Sequence, residues 1–362
     1  MVMCAIVFYA ITFCYVFFYQ AESLAYLQHT LSQGQTHYDR FIGAIIITLL
    51  TMLIQFAAYR ITHLRKRGHA LTYFPSILAL TILTSVRECG HVSKYWIWIA
   101  PTLLILWGIL AWVSKQFETY EPGKDNPGLF SRTMWVNLLT MVVMFVFMMV
   151  FSNSNEIIHH RLRIENYLVK GQYEKALEVG KRSSENDNSL TMLRIYALSR
   201  VGKLGEALFR YPVSKGNDAL LLPDGEFTKT LMMNPKIIKA YSLKKGKSDY
   251  QLIGQLLNRD LDSFAKTISL CYDVDSTAIP RHYREALVLY THIRQHRVLT
   301  FHDDVLDADY EDMKKLVKKY PDRIQRESAV RDTYGNTYWY YYYRRYKKIR
   351  AFITCRKPLI VF

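Results

Sequence analysis

The sequence predicts an all-α protein: N-terminal transmembrane helices over residues 1–154, then an α-helical, solenoid-like soluble domain over residues 155–362. Three observations predict it. Half of the 362 residues are hydrophobic, and they crowd into the first 150 positions while the charges collect in the rest. Several early runs are long enough to cross a bilayer and carry no charged side chain. The later part instead spaces its apolar residues three and four apart around an internal repeat.

A helix crossing hydrocarbon needs roughly 20 mostly apolar residues, because its backbone polar groups must be satisfied within the helix. Five stretches approach this: Val2 to Tyr19, Phe41 to Tyr59, Leu71 to Val86, Tyr95 to Val113 and Met134 to Phe151. The second, fourth and fifth contain no Lys, Arg, Asp or Glu. Leu71 to Val86 is the exception, being short and containing Pro75, so a tilted or re-entrant segment stands beside a true span. Tyr95, Trp96, Trp98, Trp112 and Trp135 sit near span ends, where amphipathic rings suit the headgroup layer. The first run lacks the basic leader and small-residue cleavage site of a secretory signal and reads as retained. The absence of a polar leader before Val2 leaves open a longer membrane region upstream.

Charge gives the orientation. Arg60, Arg65, Lys66, Arg67, Lys115, Lys124 and Arg132 fall in loops on one side, against Arg40, Arg87 and Lys94 on the other. The positive-inside rule then puts the N-terminus in the cytoplasm, and five crossings put the C-terminal domain outside it. Absence of charge from the span cores argues against an ion or proton pathway. The part after Ser154 holds net +12 of the total +16. Anionic lipid is the simplest partner for that charge beside a membrane; nucleic acid is disfavoured, and an acidic protein also fits.

Past Ser152-Asn153-Ser154-Asn155 the composition is that of a water-soluble helical domain. Gly171-Gln172-Tyr173-Glu174-Lys175-Ala176-Leu177 recurs as Gly202-Lys203-Leu204-Gly205-Glu206-Ala207-Leu208, and Ile164 and Ile195 fall in register upstream. This pattern resembles the tetratricopeptide repeat, with Gly at the turn, a bulky residue after it and Ala at the close helix contact. Tyr211-Pro212 closes the second unit. Helical spacing continues over Lys236 to Lys245, Asp249 to Asn258, Ser263 to Cys271, Arg281 to His296 and Tyr310 to Lys319. Stacked helix pairs of this kind bind proteins, so a protein partner is expected through the repeats.

No catalytic, cofactor-binding or metal-binding residue is identified. Phe301-His302-Asp303-Asp304 with Asp307 and Asp309 has suitable metal donors but no established spacing, and reads as a solvated acidic turn. His159-His160 point different ways on a helix. Arg281-His282-Tyr283-Arg284-Glu285 suits an acid/base cluster or equally a set of helix-surface ion pairs. Cys4, Cys14, Cys89, Cys271 and Cys355 show neither a CxxC pair nor a zinc spacing. Nucleophile-elbow, P-loop and dinucleotide motifs are missing. The run Tyr334 to Tyr343, followed by Arg344, Arg345, Lys347, Lys348 and Arg350, suits a capping helix packed on preceding ones, or rings stacked on bases, sugars or headgroups, and it motivates the alternative to a membrane-anchored scaffold, a membrane enzyme or transport component acting on envelope lipid or glycan. The tail Pro358 to Phe362 is too short to span anything.

The spans, Gly202 to Pro212, Pro280 to Leu287 and Tyr338-Trp339-Tyr340-Tyr341 together resemble a family of uncharacterised Bacteroidota polytopic membrane proteins. That resemblance implies several N-terminal spans and a repeat-like helical tail, and brings no catalytic motif.

Overall fold

The computed structural model describes residues 2–65, 68–86, 92–119, 131–181, 183, 186–214, 216, 220, 230–244, 247–274 and 278–344. Cys89, Cys355, the loop cations Lys66, Arg67, Arg87 and Lys124, and the cations and tail from Arg345 onward lie outside the described residues. Among the described residues all regular structure is helical, with one isolated bridge between Val86 and Val92. The chain divides into two compact units, 1–162 and 163–362.

In the first unit α1 (Val2–Cys14) runs into a π-helical turn, Tyr15–Tyr19. There follow α2 (Ala21–Leu31), α3 (Arg40–Thr62), a 3-10 stretch His69–Tyr73, α4 (Phe74–Thr84), α5 (Trp96–Thr119) and α6 (Arg132–Phe151). Among the described residues four helices are long and apolar enough to cross a membrane: Val2–Tyr19, Arg40–Thr62, Trp96–Phe117 and Arg132–Phe151. At 23 residues α3 measures about 34 Å, a full hydrocarbon thickness. Its start is fixed by Asp39, whose carboxylate accepts from the Phe41 and Ile42 N–H groups, and it stops at His63 in the left-handed region. Ile46, Leu49, Leu53 and Phe56 on α3, and Ile105, Ile109 and Trp112 on α5, face outward. So much exposed apolar surface on helices of this length fits a membrane protein.

The third expected crossing takes a different form. Residues 69–84 make an apolar helix shorter than the four, 3-10 in its first turn and α-helical once Pro75 supplies a helix-compatible φ. It packs against α3 and α6 and is mostly buried. Phe8, Tyr73, Ile77, Leu80, Met141 and Met144 form the core around it. Its hydroxyls are satisfied: Ser76 donates across to the Thr51 carbonyl on α3, while Thr81 and Thr84 donate within the helix to the Ile77 and Leu80 carbonyls. α2 lies outside the sequence expectation, with buried Glu22 held by Arg40 at 2.8 Å.

The boundary at Leu162 lies within α7 (Glu156–Val169). The second unit continues with α8 (Tyr173–Glu178), α9 (Asn188–Val201), α10 (Leu204–Ala207) with a 3-10 turn Leu208–Arg210, and α11 (Pro235–Lys244). Then come α12 (Lys247–Leu257), α13 (Leu261–Cys271), α14 (Arg281–Ile293), α15 (Asp304–Lys319), α16 (Arg323–Tyr334) and α17 (Tyr338–Tyr343). Gly171 and Gly202 both occupy left-handed backbone, at φ 71° and 72°, which places glycine at each helix-to-helix turn. The helices after them are short, six and four residues. Ala176 is buried as expected, but the close approach in the second hairpin belongs to Gly205 rather than Ala207. A Cβ on Gly205 would sit 2.7 Å from the Tyr283 ring and 2.9 Å from Pro280, so only glycine lets α10 lie against α14.

Candidate functional site

The acid/base candidates on α14 divide between core and surface. His282 and Glu285 are fully buried, not surface groups as ion pairing on a helix face implies. Three and four residues apart, His282 and Arg281 both reach Glu285: His282 Nδ1 lies 2.9 Å from Oε2, and Arg281 Nε lies 2.9 Å from Oε1. The backbone N–H of Tyr338 donates to the same Oε2 at 2.8 Å, and the Trp339 indole donates to the Glu285 carbonyl at 2.7 Å. Nε2 of His282 accepts the Phe209 N–H at 3.2 Å, so the ring proton sits on Nδ1 and is donated to Glu285. Both imidazole nitrogens are thus committed to joining the turn after α10, α14 and α17. Burial disfavours ionisation of Glu285, but its bond from His282, with the Tyr338 N–H and Arg281, outweighs this and holds the carboxyl below its ordinary range. Arg284 points elsewhere, to Asp303 at 2.8 Å.

The acidic turn before α15 is also spent on structure. Asp303 caps α15 by accepting from Leu306 N–H, and Asp307 takes His292 Nε2 at 2.9 Å with His302 at 3.6 Å. Asp304 and Asp309 lie on α15 itself. Among the described residues no three His, Cys, Asp or Glu side chains are grouped to hold a metal ion. His159 reaches the Asn153 carbonyl at 3.0 Å, while His160 lies 3.6 Å from Glu156. Cys4, Cys14 and Cys271 are free thiols.

The tyrosine run serves two purposes. Tyr338, Trp339 and Tyr341 are buried as a capping helix requires, with the Tyr341 hydroxyl donating to the Leu257 carbonyl and Arg259 donating to the Tyr341 and Arg344 carbonyls at the C-terminus of α17. The other side of α17, carrying Tyr340 and Tyr343, faces α15 and α16 across a groove of about 520 Å³, within the usual range for ligand sites.

Helical periodicity builds this groove. Tyr310, Met313, Lys314, Val317 and Lys318 form one stripe on α15, and Arg323, Arg326, Glu327 and Val330 form another on α16. Met313, Val317, Val330, Trp339 and Tyr340 make an apolar, aromatic lining. Lys314, Lys318, Arg323, Arg326 and Arg344 surround it with a single lining acid, Glu327. Lys314 is partly neutralised by Glu311 at 2.8 Å and stands 4.7 Å from the Tyr310 ring centre. The Tyr310 and Tyr343 hydroxyls meet at 2.8 Å and close one wall. Burial pushes the Tyr310 phenol well above its ordinary pKa, with the Tyr343 bond adding to the rise, so Tyr310 keeps its proton near neutral pH.

Sequence reasoning singled out the aromatics and Arg344 but missed Lys314, Lys318, Arg323 and Arg326. Their i, i+4 and i, i+3 spacing beside Met313 and Val330 is the signal that marks them. It also missed Glu165, a fully buried carboxylate cradled by the N–H groups of Leu231, Met232 and Met233 at 2.6–3.0 Å. With three backbone donors around it, Glu165 pins the chain ahead of α11.

No curated protein and no solved structure matches this chain. One family profile does match, over residues 76–237 and 226–345, which takes in α4 of the first unit and the whole groove of the second. On that match, covering most of its length, the chain belongs to the family of unknown function DUF6057.

Proposed function

We propose that the chain is a membrane-anchored helical scaffold whose second unit captures a protein partner. The groove of α15, α16 and α17 carries this reading: it is large enough for a ligand group, apolar within and cationic around, and His282 and Glu285 beside it are committed to the core. In this proposal the four long apolar helices, with residues 69–84 as a fifth and shorter crossing, anchor the chain in a bacterial inner membrane, and the second unit lies on the periplasmic side, as loop charge and an odd number of crossings imply. The hairpins built on Gly171 and Gly202 are degenerate tetratricopeptide-like units supporting the binding surface.

The test places a photo-crosslinking amino acid at Val317, in the groove, and at Leu270, exposed on α13, in the full chain within its membrane. A discrete stoichiometric adduct from Val317 and none from Leu270 is expected. Absence of any discrete protein adduct from either position removes the reading. A compartment-specific reporter fused after Phe362 checks the side, and activity in the cytoplasm overturns the periplasmic placement.

A further inference from the structure

We infer that the groove of α15, α16 and α17 takes an acidic peptide segment in which an aromatic or aliphatic residue stands between two carboxylates. This deepens the proposed protein capture and rests on it.

Charge sets the class of occupant. Five lining cations stand against one lining acid, and the pairing of Lys314 with Glu311 still leaves the field positive. The chain's own C-terminal segment is a poor occupant, because residues 345–362 carry six Lys and Arg and no Asp or Glu.

Spacing narrows the class further. Lys314 and Lys318 are about 6 Å apart along α15, and Arg323 and Arg326 about 4.5 Å apart along α16, at 1.5 Å per residue. The cations therefore line two walls rather than converging on one point as the donors around a phosphate do. In an extended peptide, residues i and i+2 project to the same side about 6.8 Å apart, near the lysine spacing, while residue i+1 points the opposite way. Two carboxylates can thus meet the lysines as the residue between them enters the apolar lining of Met313, Val330, Trp339 and Tyr340. Buried aromatic anchors ringed by charge are the usual energetic centre of such contacts.

The probe is a fluorescein-labelled peptide, Glu-Phe-Glu-Leu-Glu, with Gln-Phe-Gln-Leu-Gln as control, titrated by fluorescence anisotropy against the full chain in neutral detergent. The acidic peptide is expected to bind at least tenfold more tightly than the control, and to weaken as salt rises. Combining Lys318→Glu with Arg323→Glu, both exposed and so tolerated by the fold, is expected to cost at least tenfold. The same reversal at Lys266 and Lys239, outside the groove, should leave binding unchanged. Equal binding of both peptides, or indifference to the groove reversal, overturns the inference. So does failure of the peptide to bind while labelled short-chain phosphatidylglycerol does, which makes the groove a lipid headgroup site. If Val317 crosslinks a protein and the peptide fails, capture stands and only its acidic character falls; if the peptide binds and no crosslink forms, the scaffold reading alone falls.

Discussion

Replacing Glu285 separates a structural node from a surface ion pair. In Glu285→Ala the His282 Nδ1–H and the Tyr338 N–H, both buried, lose their acceptor at once. Each stranded donor costs about 1–3 kcal/mol, and with His282 Nε2 an acceptor and Arg281 open to water no buried charge is left behind. A loss of about 4 kcal/mol is therefore expected for the second unit. Glu285→Gln keeps an acceptor oxygen where Oε2 receives His282 and Tyr338, and turns its amide toward Arg281, which is 39% exposed and finds water instead. That change should cost only about 1 kcal/mol. Pulse proteolysis across a urea series, on the full chain in neutral detergent, reads both losses from fragments of residues 163–344. Equal losses for Ala and Gln, or a loss below about 1 kcal/mol for Ala, would refute the node as the tie between α14, α17 and Phe209.

The same carboxyl predicts a pH dependence. Because its native pKa is lowered, its stabilisation is complete above the ordinary glutamate range, about 4.3, and is lost as the pH falls through the lower native value. Unfolding midpoints followed by circular dichroism should hold from pH 7 to about 5 and drop below about 4.3, less steeply in Glu285→Gln. Gly205→Ala should cost about 1–3 kcal/mol, since Tyr283 is fully buried with its hydroxyl on Asp249 and cannot yield; Gly202→Ala, in open space at φ 72°, should cost about 1 kcal/mol from backbone strain alone. Pulse proteolysis ranks the two, and the reverse order contradicts the packing described. In the first unit Asn137→Leu strands the Ala70 N–H, now 2.7 Å from Asn137 Oδ1, and should lower the detergent aggregation temperature by an amount reflecting about 1–2 kcal/mol; an unchanged temperature argues against that bond.

Local signals carry much of this architecture. Charge-free runs locate α3, α5 and α6, and the recurring glycines locate the turns at residues 171 and 202 because each turn needs a backbone that only glycine adopts freely. α4 is apolar all round, so no periodicity reveals that its neighbours enclose it. α16 has no apolar stripe: Ile324 is 79% exposed, and Asp322 starts the helix by capping the Ile324 and Gln325 N–H groups. Polar neighbours such as His282 and Glu285 read as surface, because the groups that satisfy them, on Phe209 and Tyr338, lie 73 and 53 residues away in the chain. The groove shares that origin. Each helix contributes an ordinary-looking mixture of cations and apolar residues, and only their assembly gives it a lining and a rim.

Trp339 is common property of the interior and the groove. Its indole N–H is held by the Glu285 carbonyl, while its ring lies 5.3 Å from that of Tyr310 and lines the cleft. Any guest pressing on that ring also presses on the clasp behind it, so occupancy and folding become linked equilibria: a ligand present at a hundred times its Kd adds about 2.7 kcal/mol to the unit's resistance to unfolding. The cleft is consequently hard to redesign in isolation, since a smaller ring chosen to admit a different guest also opens a void under α17.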